Sequence, residues 1–247
     1  MITAYHRPKT LDEALTLLTR PNLVPLGGGT LLAHPTADPV EVVDLQSLRL
    51  NTVKKRGNHL EVGATVTLQQ LLESEYCPAA MKAALKLEAP LNLRNAATVA
   101  GTLVTCDGRS TFATALLALD AKLDLRISKD DSRTENLGDF LPLRPRGLIT
   151  AMTLPLNVKL AFEHVARTPA DKPIVCVALA QWNSGRTRLA LGGYAKSPLL
   201  AMDGTESEGI ETAARNAFHE AMDEWASPAY RMDIAATLAK RCLESAV

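Results

Sequence analysis

The block TFATALLALDA, Thr111–Ala121, constrains this chain more than any other stretch, because from Phe112 to Leu119 its only polar residue is Thr114. A helix that is apolar on every side has no face to give to water, so it must sit inside the molecule. The chain can supply such an interior: with 247 residues, 47% of them hydrophobic and 22% charged, it is able to bury one large core or two smaller ones. Disorder is therefore not expected over most of its length.

Around this block the sequence alternates short strands with helices. Thr10 and Glu13 have capping-box spacing ahead of a helix whose Leu11, Ala14, Leu15 and Leu18 form a buried stripe. A short strand at Leu23–Leu26 runs into Gly27-Gly28-Gly29, and a second strand covers Val40–Leu45. From His59 onward Leu60, Val62, Ala64 and Val66 alternate with polar residues as in a half-buried strand, and Thr67 with Gln70 repeats the capping box before LQQLLES. A helix near Pro78–Glu88 leads to the polar stretch NLRNAATVAGTLVTCDGRS, which reads as a loop before the buried helix. Residues 128–147 are polar and carry Pro142, Pro145 and Gly147, and strand character resumes at LITAMTLPL.

A domain boundary is expected close to Pro155. Beyond it KLAFEHVAR, IVCVALAQW and RTRLALGGYA read as three antiparallel strands, with Asn183-Ser184-Gly185 as the turn between the last two. Two helices follow, near Gly209–Glu224 and Ser227–Leu243; in the second, Ser227 and Pro228 suit N-cap and N1, and Tyr230, Ile234, Leu238 and Cys242 keep one apolar face. The fold class is α+β: residues 1–156 form one domain of two α/β subdomains, about 1–55 and 56–156, and 157–247 form a small α+β domain with a three-stranded antiparallel sheet. No internal repeat points to a solenoid.

Composition removes several functions. Lys plus Arg equals Asp plus Glu at 27 each, so no excess positive charge exists to hold nucleic acid or an anionic membrane surface. No apolar run reaches the roughly 20 residues of a membrane span, and the N-terminus lacks a secretory layout, so the expected address is cytoplasmic. Cys77, Cys106, Cys176 and Cys242 include no Cys-x-x-Cys pair, and His6, His34, His59, His164 and His219 are dispersed; His34, just after the first glycine loop, reads as a surface residue. No metal site is expected, no catalytic acid or base has a convincing partner, and redox work would need an organic cofactor or a partner. Aromatic residues make up only 4%, so a flat ring would be gripped mainly by backbone and aliphatic side chains.

Two segments have cofactor-binding character. In PLGGGTLLA, Pro25–Ala33, glycines after a strand let backbone N–H groups approach a pyrophosphate, since no Cβ intervenes and positive φ costs little. The run matches neither the dinucleotide fingerprint nor the P-loop pattern, and three glycines alone also suit an ordinary tight turn. In ATVAGTLVTC, Ala97–Cys106, Gly101 stands among hydroxyls of Thr98, Thr102 and Thr105 that could donate to phosphate oxygens; the competing reading is a β-turn with solvated threonines. Two such segments, each beside a strand, suggest a cleft clamped from both sides.

At these loops, and in YHRPKTLDEALTLL, VVDLQSL, LEVGATVTLQQLL, RNAATVAGTL, FATALLALDA, LITAMTLP, FEHVARTPADKPIVCVALA, LALGGYAKSP and SPAYRMDIAATLAKRCLE, the chain resembles the medium, flavin-binding subunits of molybdenum hydroxylases of the xanthine dehydrogenase and carbon monoxide dehydrogenase type. The resemblance implies an FAD-binding PCMH-type domain over 1–156 and a carbon monoxide dehydrogenase flavoprotein-like C-terminal domain over 157–247. It implies FAD contacts at Pro25, Leu26, Gly27, Gly28, Gly29, Thr30, Leu31 and Leu32 and at Thr98, Val99, Ala100, Gly101 and Thr102, with Ile149 and Ile174 lining the ring. It further implies a partner large subunit carrying the molybdenum cofactor, a partner small subunit carrying [2Fe-2S] clusters, FAD passing electrons to an external acceptor, and a dimer of heterotrimers.

Against the family's pattern, the acidic residue of AGGTDL is here Leu31, TIGGN is here Thr98-Val99-Ala100-Gly101-Thr102, and SPxxD is here Asp107-Gly108-Arg109-Ser110-Thr111. Each lost hydrogen bond to a ligand costs about 0.5–1.5 kcal/mol, so FAD binding is expected to be weakened or lost unless Thr102, Thr111 or Arg109 compensates; Thr105 and Thr111 are also taken as cofactor-binding candidates. The alternative reading is therefore a non-catalytic assembly subunit that keeps the fold without stable FAD. A self-contained flavin oxidase fits less well, because the C-terminal domain of such enzymes is larger.

Overall fold

The computed structural model describes residues 2–33 and 39–246, and within them every residue from Thr111 to Ala118 is buried. In chain order the first unit contains β1 (Ile2–His6), α1 (Leu11–Leu18), β2 (Leu23–Leu26) and β3 (Val40–Asp44). Then come β4 (Val53–Arg56), β5 (His59–Gly63), α2 (Leu68–Glu73), α3 (Ala79–Glu88), α4 (Leu91–Arg94), α5 (Val99–Thr105) and α6 (Thr111–Ala118). They are followed by β6 (Lys122–Arg126), β7 (Ser132–Asn136), α7 (Leu137–Leu143) and β8 (Leu148–Pro155). The rest comprises β9 (Val158–Val165), β10 (Val175–Trp182), β11 (Thr187–Gly192), β12 (Leu199–Gly204), α8 (Ile210–Ala217) and α9 (Pro228–Ala246).

Three sheets organise these elements. The first is parallel, in the order β1-β3-β2. The second is antiparallel, in the order β4-β5-β8-β6-β7, and the third is an antiparallel meander, β12-β11-β10-β9. The α+β class is thus the observed one, with a correction: the C-terminal sheet has four strands rather than three, because Leu199–Gly204 pairs with β11. Its sequence, LLAMDG, alternates too weakly to announce a strand, and backbone pairing along an otherwise open edge supplies what side chains do not. The stretch 128–147, read as irregular, also contains β7 and α7. β7, SRTEN, is an edge strand whose residues are mostly exposed, so it carries no hydrophobic period.

Alternation along β10 explains how one sheet serves two cores. Ala178 and Ala180, with Ala190 of β11, turn small side chains toward α6, while Val177, Leu179, Leu189 and Leu191 turn larger ones toward α8 and α9. The alanine face lets a helix approach closely. On its other sides α6 meets α3 and α7, and its side chains join Leu60, Val62, Leu123 and Met152 of the five-stranded sheet in one cluster. The interior therefore continues across residue 156.

Local signals set the helix starts. Thr67 accepts the Gln70 amide and Gln70 accepts the Thr67 amide, the reciprocal cap expected from the sequence, and the Thr10 hydroxyl accepts the Glu13 amide. The Ser227 hydroxyl accepts the Tyr230 amide at the start of α9. Inside that helix Arg231 is fully buried; it donates to the carbonyls of Ile174 and Gly193 and pairs with Asp223. All four cysteines are buried and free, and burial pushes their thiols up, Cys176 to about 12. Among the described residues no helix is long and apolar enough to cross a membrane.

Candidate functional site

The parallel sheet ends in the glycine turn that follows β2, and this turn stands directly against the segment that opens α5. A Cβ on Gly28 would lie 1.7 Å from the Ala96 carbonyl oxygen, and one on Gly27 would lie 2.8 Å from the Thr98 hydroxyl oxygen. Only glycine permits that approach at position 28, since backbone cannot yield as a side chain tip can. Gly29 adopts φ +69°, the left-handed region that turns the chain away again.

Between the two segments lies a cleft of about 340 Å³. Its walls are Val24, Pro25 and Gly27–Leu32 on one side and Thr98, Ala100, Gly101, Val104 and Thr105 on the other, with Leu45, Ala64, Thr65 and Gly147–Ile149 behind. Among the described residues no lining residue is ionisable.

The two walls differ in what they hold free. The amides of Gly27 through Leu32 meet no acceptor among the described residues, whereas the amides opening α5 are all engaged: Val99 donates to Val66 O at 2.9 Å, Ala100 to Ala64 O at 3.3 Å and Gly101 to the Thr98 hydroxyl at 3.1 Å. The hydroxyls of Thr102 and Thr105 donate to the carbonyls of Thr98 and Gly101, both at 2.9 Å. A run of unpaired amides in a glycine turn suits an anion such as a diphosphate, and the apolar remainder suits the uncharged parts of a nucleotide. Residues 1–157 match the family described as the FAD binding domain in molybdopterin dehydrogenase.

The chain belongs to that family.

Relatives agree along the chain. It is 29% identical over 247 residues to the uncharacterized protein YgfM of Escherichia coli K12, covering 96% of this chain and 94% of the other. The glyceraldehyde dehydrogenase medium chain of Sulfolobus acidocaldarius is 27% identical over 220 residues, 81% of this chain and 78% of the relative. In fold, the carbon monoxide dehydrogenase of Hydrogenophaga pseudoflava lacking the Mo-pyranopterin moiety superposes with a TM-score of 0.84 at 22% identity, over 100% of this chain and 97% of that one.

Of the positions expected to hold cofactor in this FAD-binding domain, the structure brings Pro25, Gly27, Gly28, Gly29, Thr30, Leu31, Leu32, Thr98, Ala100, Gly101, Thr105 and Ile149 to the cleft. Leu26, Val99, Thr102, Thr111 and Ile174 are not among its lining residues. Val99 points into the main core, 1% exposed, as the first residue of α5. Ile174 is 7% exposed in the cluster around α9.

Thr111 is fully buried and its hydroxyl donates to the Ala84 carbonyl at 2.7 Å; it belongs to the start of α6, not to a ligand. Glu88 caps that start by accepting from the Ser110 hydroxyl at 2.8 Å and the Phe112 amide at 2.9 Å, and burial raises its pKa above the ordinary carboxylate range. Arg109, considered as a phosphate partner, is committed elsewhere: it donates to the carbonyls of Lys172 and Pro173 and stacks on Trp225 at 4.9 Å.

The largest correction is local. Within Ala97–Cys106, Val99–Thr105 is a helix, not a threonine loop, because the Thr98 side chain caps it and the remaining hydroxyls bond back to carbonyls one turn earlier. A Thr three residues before Gly101 was the available sign. The residues not anticipated, Val24, Leu45, Ala64, Thr65, Val104, Gly147 and Leu148, are uncharged and carry no chemical signature in sequence. His34 lies outside the described residues, and among those residues no group of His, Cys, Asp or Glu could hold a metal ion.

Proposed function

We propose that this chain is the FAD-binding electron-transfer subunit of a molybdenum hydroxylase complex, taking electrons from the [2Fe-2S] clusters of a small partner subunit and passing them to an external acceptor. The molybdenum cofactor would reside in a large partner subunit, and FAD would lie in the cleft through Pro25 and Gly27–Leu32 on one wall and Thr98, Ala100, Gly101 and Thr105 on the other, with Ile149 behind. The observation that carries this reading is the glycine turn Gly27–Leu32, whose amides meet no acceptor among the described residues, lining one wall of an apolar cleft opposite α5. When bound, FAD supplies reversible electron transfer that side chains cannot. The protein's part is to bind, orient and exclude water: the Gly27–Leu32 amides hold the diphosphate, and the Thr98 hydroxyl, whose proton has no acceptor among the described residues, can donate to the same group. The apolar lining keeps water from the ring.

The engaged amides and hydroxyls of α5 favour the second reading, an assembly subunit without stable FAD, because they leave that wall fewer donors than two facing loops would offer. Purification of the chain together with its partners decides between them. A yellow preparation that releases FAD on denaturation, and whose flavin is reduced when the hydroxylase substrate is added, supports electron transfer. A colourless chain that still co-purifies with molybdenum and iron-sulfur subunits supports the scaffold.

A further inference from the structure

Most large apolar side chains that line a cleft are sheltered by it, but Leu31 and Val104 are not. Leu31 lines the cleft and is 58% exposed at the tip of the glycine turn; Val104 lines the opposite wall, on α5, and is 47% exposed. Each wall therefore presents one uncovered aliphatic side chain to the cleft, whose lining contains no Lys, Arg or His among the described residues. Uncovered apolar surface on the rim of a cavity loses contact with water only when something fills the cavity, and that loss favours the filled state.

We propose that Leu31 and Val104 form an apolar clasp across the cleft, holding bound flavin nucleotide by burial. The inference rests on the FAD reading and adds to it which side chains of this chain carry affinity. The diphosphate is held by the amides of the glycine turn, which fix position; the clasp closes over the uncharged part of the nucleotide beside it and slows its escape. Neither residue contributes to the core, as exposure shows, so truncating them leaves the fold intact.

The test is FAD binding to the full-length apo chain, followed by flavin fluorescence and by calorimetry, with thermal unfolding recorded for every variant. Leu31→Ala and Val104→Ala are each expected to weaken binding about tenfold, the double variant about a hundredfold, mainly through faster dissociation. Leu143→Ala, at an exposed leucine outside the cleft lining, is the control and should leave affinity unchanged. The clasp is overturned if the unsubstituted chain binds FAD and both cleft variants bind it within about twofold while remaining folded. An unsubstituted chain that binds no FAD at all overturns the flavin reading itself, and the clasp with it, so the two failures are told apart by the first titration.

Discussion

At the scale of single residues, the cleft depends on one glycine contact more than on any side chain. Gly28 packs its α-carbon against the Ala96 carbonyl, and a methyl group there meets the backbone of Ala96 and Ala97. Gly28→Ala should therefore force the two walls apart, lowering stability by about 1–3 kcal/mol and reducing FAD retention together, measurable by urea unfolding and by flavin content. Gly27→Ala meets the Thr98 side chain rather than backbone and should be milder on both counts. Arg231 is the other decisive residue. Its removal leaves the carbonyls of Ile174 and Gly193 without a donor and Asp223 without its cation, so Arg231→Met should cost about 3 kcal/mol, seen as a fall in the unfolding midpoint.

At the scale of elements, α6 is tied to the C-terminal sheet by a charged network as well as by packing. Arg188 of β11 donates to Leu117 O at the end of α6 and pairs with Asp203 of β12, while Arg186 donates to Asp203 at 2.9 Å and pairs with Asp120 at 2.9 Å. The hydrogen bond from Arg186, with the charge of Arg188 beside it, holds the Asp203 carboxyl below its ordinary value despite partial burial. A depressed folded-state pKa means stability that is present above the unfolded aspartate value of about 4 and is lost as pH falls through the folded one. Asp203→Asn should thus be less stable than the unsubstituted chain at pH 7, and the gap should narrow below about pH 4; a gap that stays constant over that range would count against the assignment. Within α6 itself, Leu116→Ala removes a fully buried side chain and should cost about 2–5 kcal/mol by equilibrium unfolding.

At the scale of the whole molecule, the alanine face of β10 and β11 closes over α6 and makes one interior from residues on both sides of position 156. The family match ends at residue 157, yet Ala178, Ala180 and Ala190 share a cluster with Leu60, Phe112 and Met152. A fragment of residues 1–156 should consequently bind a hydrophobic dye and unfold without a sharp transition, whereas the full chain should unfold cooperatively. Protection of α6 from amide exchange in the full chain, and its loss in the fragment, would locate the effect. The same packing fixes the back of the cleft, because Leu148 and Ile149 lie on β8, the central strand of the five-stranded sheet.

Some of this was legible in the sequence because the physics is local. A run apolar on all sides has to be buried, a threonine three residues before a glutamine caps a helix, and a glycine run after a strand makes a turn that backbone can crowd; each holds whatever the rest of the chain does. Most of the helices, the α+β class and the glycine turn follow from such signals, whereas the strands β1 and β4 were not announced by them. What they leave open are outcomes of pairing between distant segments. Val99–Thr105 became a helix docked by hydrogen bonds of Ala97, Val99 and Ala100 with residues 64–68; β7 and β12 exist as edges of sheets whose other strands define them; Thr111 and Arg109 turned from ligand candidates into internal ties once α3 and residues 172–173 were brought beside them. A hydroxyl or a guanidinium bonds to whichever partner is nearest, and only the folded chain decides which partner that is.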